Sequence, residues 1–251
     1  MFDPFGDFET AGYLRNRSQE KDPANVRRYE YNLFRAQLTT ALVFLSRCER
    51  IEYEDFLEVH RILFEGLYPW AGQDRYALLP DRAITKGPVI FCHPRDCRRA
   101  VDDALSRAQE KRQMRTIPGF VMGMFAYAHP FFDGNGRTML LVHAELCFRA
   151  GISIDWIGTD KNAYLTALTN EIEDPRAGHL DNYLSPYIGK AISRESWSST
   201  FQQMRGLDGN DEVIDETATY ADPSVLKGQE AFELKRGYVI GDDSFVPTRP
   251  A

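Results

Sequence analysis

The sequence predicts an all-α fold, a helical bundle interrupted by one extended segment. Three observations lead there. Leu38, Leu42 and Leu45 recur at helical spacing, as do Phe56, Val59, Leu63 and Leu67. Pro118 opens an apolar run to Ala128, and a second run from Thr138 to Ala150 stops at Gly151; these are a first-turn proline and a C-terminal glycine. Only Arg75 to Phe91 breaks the pattern, with Pro80, Gly87 and Pro88 between apolar ends.

Taken in order, the elements follow from these signals. The first two Leu- and Phe-bearing stretches read as amphipathic helices. The segment from Arg75 to Phe91 reads as a hairpin or extended loop, because Tyr76-Ala77-Leu78-Leu79 and Val89-Ile90-Phe91 suit extended chain. On composition alone it is a surface connection. Leu165, Leu168 and Ile172 mark another helix, with Asp160 as its N-cap. Asn182 to Ile192 reads as a helix or a broken helix around Pro186. After Ser196 the character changes. Gly206 to Ser224 holds six acidic residues and no Lys or Arg, which predicts a solvated, mobile run dispensable for catalysis. Phe232 to Val246 regains aromatic residues able to dock. The expected organisation is a domain over 1–195 and an acidic flexible tail over 196–251.

Bulk properties exclude some function classes. With 251 residues, 43% of them hydrophobic, the chain can bury a sizeable core. A net charge of -7 argues against a protein that mainly grips nucleic acid, which needs clustered Lys and Arg. No stretch reaches the ~20 apolar residues of a membrane helix, and Met1 to Gly12 has no apolar run of a secretory signal. The expectation is a soluble cytoplasmic protein, with delivery by a specialised secretion system left open. The four cysteines, Cys48, Cys92, Cys97 and Cys147, are too few and uneven for a disulfide framework. Cys92, His93 and Cys97 lack the second Cys pair or second His of a zinc site.

The chemistry concentrates in His129-Pro130-Phe131-Phe132-Asp133-Gly134-Asn135-Gly136-Arg137, between two predicted helices. Gly134 and Gly136 allow a tight bend with exposed N–H groups. The next helix begins near Arg137 and would aim its positive end at the loop's contents. Arg137 offers a guanidinium fork for phosphate oxygens. Asp133 is a hard oxygen ligand suited to Mg²⁺ shared with phosphates. His129 titrates near neutrality, as a general base should. Each residue also has a plainer reading, since Asp-Gly and Asn-Gly are ordinary turn signals and a lone His between helices is more often structural. An EF-hand and a Walker loop both fail on residue type.

Together these residues resemble the Fic signature, HPFx(D/E)GNGRxxR, matching eight of its nine specified positions. The looser resemblance runs from Asp3 to Tyr187 and includes Gly12-Tyr13-Leu14-Arg15-Asn16 and Tyr68-Pro69-Trp70-Ala71-Gly72. It implies an all-α Fic-type bundle with a small β-hairpin flap, matched here by Ala83 to Phe91. It implies transfer of AMP, or another nucleotide monophosphate, from a nucleoside triphosphate to a hydroxyl of a target protein. His129 would be the catalytic base and Asp133 the Mg²⁺ ligand. Gly134, Asn135, Gly136 and Arg137 would bind the nucleotide phosphates, with ATP as co-substrate, and Phe131 would anchor the loop in the core. Ile84, Thr85, Lys86 and Gly87 would form the flap that docks a protein target by main-chain pairing. The family also includes toxins, so an antitoxin or other inhibitory partner belongs to the expectation.

The last Arg of the signature is replaced by Leu140, and no (S/T)xxxE(G/N) inhibitory pattern occurs; the sole Glu before Gly or Asn is Glu65, four residues after Arg61. One helical turn past Arg137, Leu140 is expected on the phosphate face. Doc proteins also lack this Arg and transfer phosphate, but their loops carry Ala-Asn-Lys-Arg where this chain has Gly134-Asn135-Gly136-Arg137. Three readings therefore stand: nucleotide transfer, Doc-like phosphotransfer, and a non-catalytic binding module. The base-contacting residues are not legible, so uridylate, guanylate and phosphocholine stay open beside adenylate.

Overall fold

A computed structural model describes residues 1–204, 207 and 215–242. After a short turn α1 (Phe8–Ala11) come two long helices, α2 (Pro23–Arg47) and α3 (Tyr53–Phe64). Helix α2 is capped at Asp22, whose side chain accepts from the Ala24 N–H, with Pro23 in the first turn. A helical turn α4 (Arg75–Leu78) leads into the hairpin β1 (Arg82–Lys86) and β2 (Val89–Ile90), closed by Gly87 at φ +56°. Then follow α5 (Cys97–Ala108), α6 (Lys111–Thr116), α7 (Pro118–Ala128) and α8 (Asn135–Arg149). The remainder comprises β3 (Ile152–Ile154), α9 (Lys161–Glu173), α10 (His179–Leu184), β4 (Ile188–Lys190), α11 (Trp197–Gln203), β5 (Glu216–Thr219) and α12 (Pro223–Arg236). The fold is mostly helical, as the periodicity predicts.

Helix α7 is the centre of the bundle. Every one of its residues is buried, so it is apolar all round rather than amphipathic. It packs against α5, α8, α9 and α10. Gly119 and Gly123 allow this closeness: a Cβ on Gly119 would sit 2.3 Å from the Asp181 nitrogen, and one on Gly123 2.6 Å from Glu171 Cγ. Asp160 caps α9 through the Ala163 N–H, as expected.

Three local expectations change. Tyr76 to Leu78 is helical rather than extended, because Asp74 accepts from the Ala77 N–H and nucleates a turn. Asn182 to Ile192 is not one broken helix. Helix α10 ends at Leu184, Ser185–Tyr187 forms a 3₁₀ turn holding Pro186, and Ile188–Lys190 pairs antiparallel with Ile152–Ile154. The tail is the largest change. Trp197, Phe201, Phe232 and Tyr238 all lie within the same core as α7. Arg236 is buried over the Tyr127 ring, 3.5 Å from its centroid, and donates to the Ile172 carbonyl at 2.6 Å. Removal of 196–251 would therefore strip core side chains, not a dispensable appendage. Within the stretch expected to be mobile, Asp215 to Ser224 forms β5 and the capped start of α12; residues 205–206 and 208–214 lie outside the described residues.

Candidate functional site

The candidate site is the turn from α7 into α8. His129 ends α7 in the left-handed region, φ +41° and ψ +58°, an uncommon conformation for a residue with a side chain. Packing and hydrogen bonds enforce it. Its ring lies flat on Phe91 with centroids 3.8 Å apart. Its carbonyl accepts from Arg75 Nε at 2.7 Å, while Arg75 N donates to Pro130 O at 2.7 Å. The same guanidinium reaches the carbonyls of Cys92 at 2.9 Å and Ala128 at 3.3 Å. Arg75 thus ties the root of the hairpin to the α7–α8 turn.

The loop is braced from below. Phe131 is fully buried, and stacks on His60 at 3.7 Å between centroids. His60 accepts from the Gly72 N–H through Nδ1 at 2.9 Å, which leaves the proton on Nε2 to donate to the Asp133 carbonyl at 3.0 Å. Burial holds the His60 pKa down to about 3, so it stays neutral. Asn135 spends its side chain on the loop itself, accepting from Phe131 N at 2.9 Å and donating to Phe131 O at 2.7 Å. Gly134 is obligatory: φ is +76°, and a Cβ would fall 2.5 Å from the Phe64 ring.

The upper face is open. Gly134 caps α8 with no side-chain acceptor, so the first-turn N–H groups keep their donors. A Cβ on Gly136 would meet nothing within 4 Å. A helix N-terminus left in this way can accept an anion. Asp133 uses Oδ1 to accept from Gly134 N at 2.7 Å and lies 3.8 Å from Arg137. Its surroundings raise its pKa, chiefly by desolvation, with Arg137 the leading opposing charge.

Arg137 has a partner that the motif did not disclose. Its Nη2 lies 2.6 Å from Oε2 of Glu30, a fully buried residue of α2. Burial pushes the Glu30 carboxyl up to about 7, and Arg137 is the main force in the other direction. Arg137 Nη1 is buried and has no hydrogen-bond partner, so one donor remains uncommitted. Leu140 is 5% exposed and part of the core.

His129 Nε2 faces Asp215 Oδ2 at 3.4 Å. Burial lowers the His129 pKa, while Asp215 pulls it upward and Arg75 and Lys86 add to the lowering. Of the flap residues, Ile84 is fully buried, and its carbonyl accepts from Phe91 N at 3.1 Å within the hairpin. Thr85 and Lys86 end β1, and Gly87 makes the turn. His60, Arg75, Glu30 and Asp215 are the contributors that sequence reasoning missed. The nearest available signal was His60 among Phe56, Val59 and Leu63, a polar residue on an apolar helical face.

Residues 50–147 match the Fic/DOC family model. The chain is 27% identical over 164 residues to the probable protein adenylyltransferase y4lH of Sinorhizobium fredii, covering 62% of this chain and 81% of the relative. It is 30% identical over 162 residues to the protein adenylyltransferase VbhT of Bartonella schoenbuchensis, covering 61% of this chain but only 32% of VbhT. Among solved structures, the BepC effector of Bartonella tribocorum with bound AMPPNP superposes with a TM-score of 0.58 at 17% identity, over 74% of this chain and all of that one. An N-terminal Fic domain from Bartonella quintana with bound ADP gives 0.58 at 18% identity, over 78% of this chain and 96% of that one. These two likenesses concern the fold. The segment from Arg50 to Cys147, which holds the hairpin, the α7–α8 turn and most of α8, is a Fic/DOC family domain.

Proposed function

We propose that this protein is an adenylyltransferase that moves AMP from ATP to a hydroxyl side chain of a target protein and releases pyrophosphate. The observation that carries the reading is a largely buried imidazole, biased toward its neutral form, held at the mouth of an uncapped helix N-terminus in a loop matching the family signature. The target oxygen attacks the α-phosphorus as His129 Nε2 takes its proton. The new O–P bond forms while the bond from the α-phosphorus to the bridging oxygen breaks, and pyrophosphate leaves. Negative charge grows on the phosphate oxygens, where the first-turn N–H groups of α8 and the spare Nη1 donor of Arg137 can meet it. The β-hairpin is read as the docking edge for an extended stretch of target.

Asp133 fits a divalent cation. One oxygen is committed to Gly134, and Oδ2 has no hydrogen-bond partner among the described residues. No group of three His, Cys, Asp or Glu residues gathers for a metal among the described residues. A Mg²⁺ ion would therefore rest on Asp133, nucleotide phosphates and water. When bound, it supplies charge neutralisation to the phosphates. Asp133→Ala is expected to remove most of the Mg²⁺ dependence of ATP binding; calorimetry with and without Mg²⁺ checks it, and an unchanged dependence takes Asp133 out of the site.

Incubation with ATP labelled at the α- or the γ-phosphate tests the reaction. Label carried to protein from the α position alone is expected. Transfer from the γ position would instead establish Doc-like phosphotransfer, and binding without transfer a non-catalytic module. Because burial favours neutral His129, the base form persists as pH falls. The acid limb of the rate profile is expected below the ordinary imidazole value of 6.5. Asp215→Asn should move it lower still, since Asp215 stabilises the protonated ring. A limb above 6.5 in both proteins would contradict this.

A further inference from the structure

The edge of β1 that faces away from β2 is already occupied, by the chain's own β5. The strands are antiparallel, with Arg82 opposite Thr219, Ala83 opposite Ala218, Ile84 opposite Thr217 and Thr85 opposite Glu216. Tyr220 N donates to Asp81 O at 2.9 Å. That bond sets the phase of the ladder, so Glu216, Ala218 and Tyr220 turn their backbone groups to β1. One step before the first pair stands Asp215, level with Lys86. Its Oδ2 lies 3.4 Å from His129 Nε2, and its Oδ1 3.5 Å from Lys86 Nζ.

We propose that residues 215–220 are a pseudosubstrate strand, which holds the target-docking edge in the register a target would use and puts Asp215 at the acceptor position. The inference rests on the transfer reaction proposed above. An edge cover alone has no need of a carboxylate aimed at the base. Asp215 has no proton for His129 to take, and His129 and Lys86 hold its charge; the side chain fills the acceptor position without serving as an acceptor. Burial works to raise its pKa, yet these two neighbours outweigh it and keep the carboxyl below its ordinary value.

The strand is built to leave while its neighbours stay. It has four residues, of which Glu216 and Thr219 are exposed and Thr217 and Ala218 half-buried. The next element is fixed independently: Phe232, Gln229 and Arg236 of α12 are buried, and Tyr220 bonds Gln229 at 2.9 Å and stacks on His93. The register also describes the target. It is an extended segment running antiparallel to β1, with its hydroxyl residue level with Lys86. It carries no proline one or three residues after the acceptor, because those positions donate to the ladder.

Full-length Asp215→Ala, Ala218→Pro and Asp215→Ser proteins test this with α-labelled ATP, Mg²⁺ and a cell lysate. Melting temperatures and amide exchange in β1 accompany each labelling assay. Ala218→Pro removes the central ladder donor, and exchange at Ala83 and Thr85 should rise with little change in melting. If the strand occupies the edge more than nine-tenths of the time, Ala218→Pro and Asp215→Ala should each raise lysate labelling about tenfold or more. In Asp215→Ser the introduced hydroxyl should accept one adenylate, mapped to position 215 by peptide mass. Adding His129→Ala or Ala218→Pro to that variant should abolish the modification. Wild-type labelling equal to that of Asp215→Ala and Ala218→Pro, or no modification at 215, overturns the pseudosubstrate while leaving the transfer reaction intact. Absence of labelling in the wild type and every variant overturns both.

Discussion

His129→Ala is expected to lower nucleotide transfer by about 10²–10⁴-fold, the usual cost of losing a general base. Nucleotide binding should persist, because the α8 N-terminus, Asp133 and Arg137 do not depend on the imidazole for position. Alanine also removes the stack on Phe91 and sits poorly at φ +41°. His129→Asn separates these effects, since asparagine tolerates the left-handed region and cannot act as a base at neutral pH. Both variants should lose transfer, and the asparagine variant should melt closer to wild type. Label transfer by His129→Asn at the wild-type rate would remove His129 from the chemistry.

Leu140→Arg is expected to unfold the protein at a much lower temperature without tightening ATP binding. The motif's spacing suggests the phosphate face for this position, but the side chain packs in the core. An arginine there would be a buried charge with no partner, at a cost of about 3–5 kcal/mol. For a chain of this size each kcal/mol lowers Tm by roughly 2–4 °C. A drop of about 10 °C or more, with unchanged ATP affinity by calorimetry, is the expected result. Tighter ATP binding with Tm retained would show that helix α8 turns position 140 toward the nucleotide.

What the sequence disclosed and what it hid divide along chain separation. The candidate turn is legible because its residues are local: two glycines, a hard oxygen, a guanidinium and an imidazole within nine residues, set between helix signals. Glu30 and Arg75 are illegible because each acts on groups far along the chain, at Arg137 and at His129. No short window contains both partners. Leu140 misleads because spacing alone places it one turn past Arg137, while its side chain is a buried member of the core. The tail misleads by composition. Its acid content signals solvated chain, but Thr217-Ala218-Thr219-Tyr220 has the β-branched and aromatic character of a strand. The acidic residues around it conceal that pattern, and one of them, Asp215, has a neighbourhood that discharges it of any need for solvent.

Arg75 acts as a rivet. Its guanidinium joins the carbonyl after the hairpin, at Cys92, to those of Ala128 and His129, and its backbone N–H holds Pro130. A hinge at this point would let the base drift whenever the hairpin was loaded by a partner strand. With a rivet, load on the hairpin and the position of the imidazole share one frame. For a target paired with the hairpin as proposed, the distance from its main chain to the imidazole would be a fixed gauge, and the length of the acceptor's side-chain arm would be measured against it.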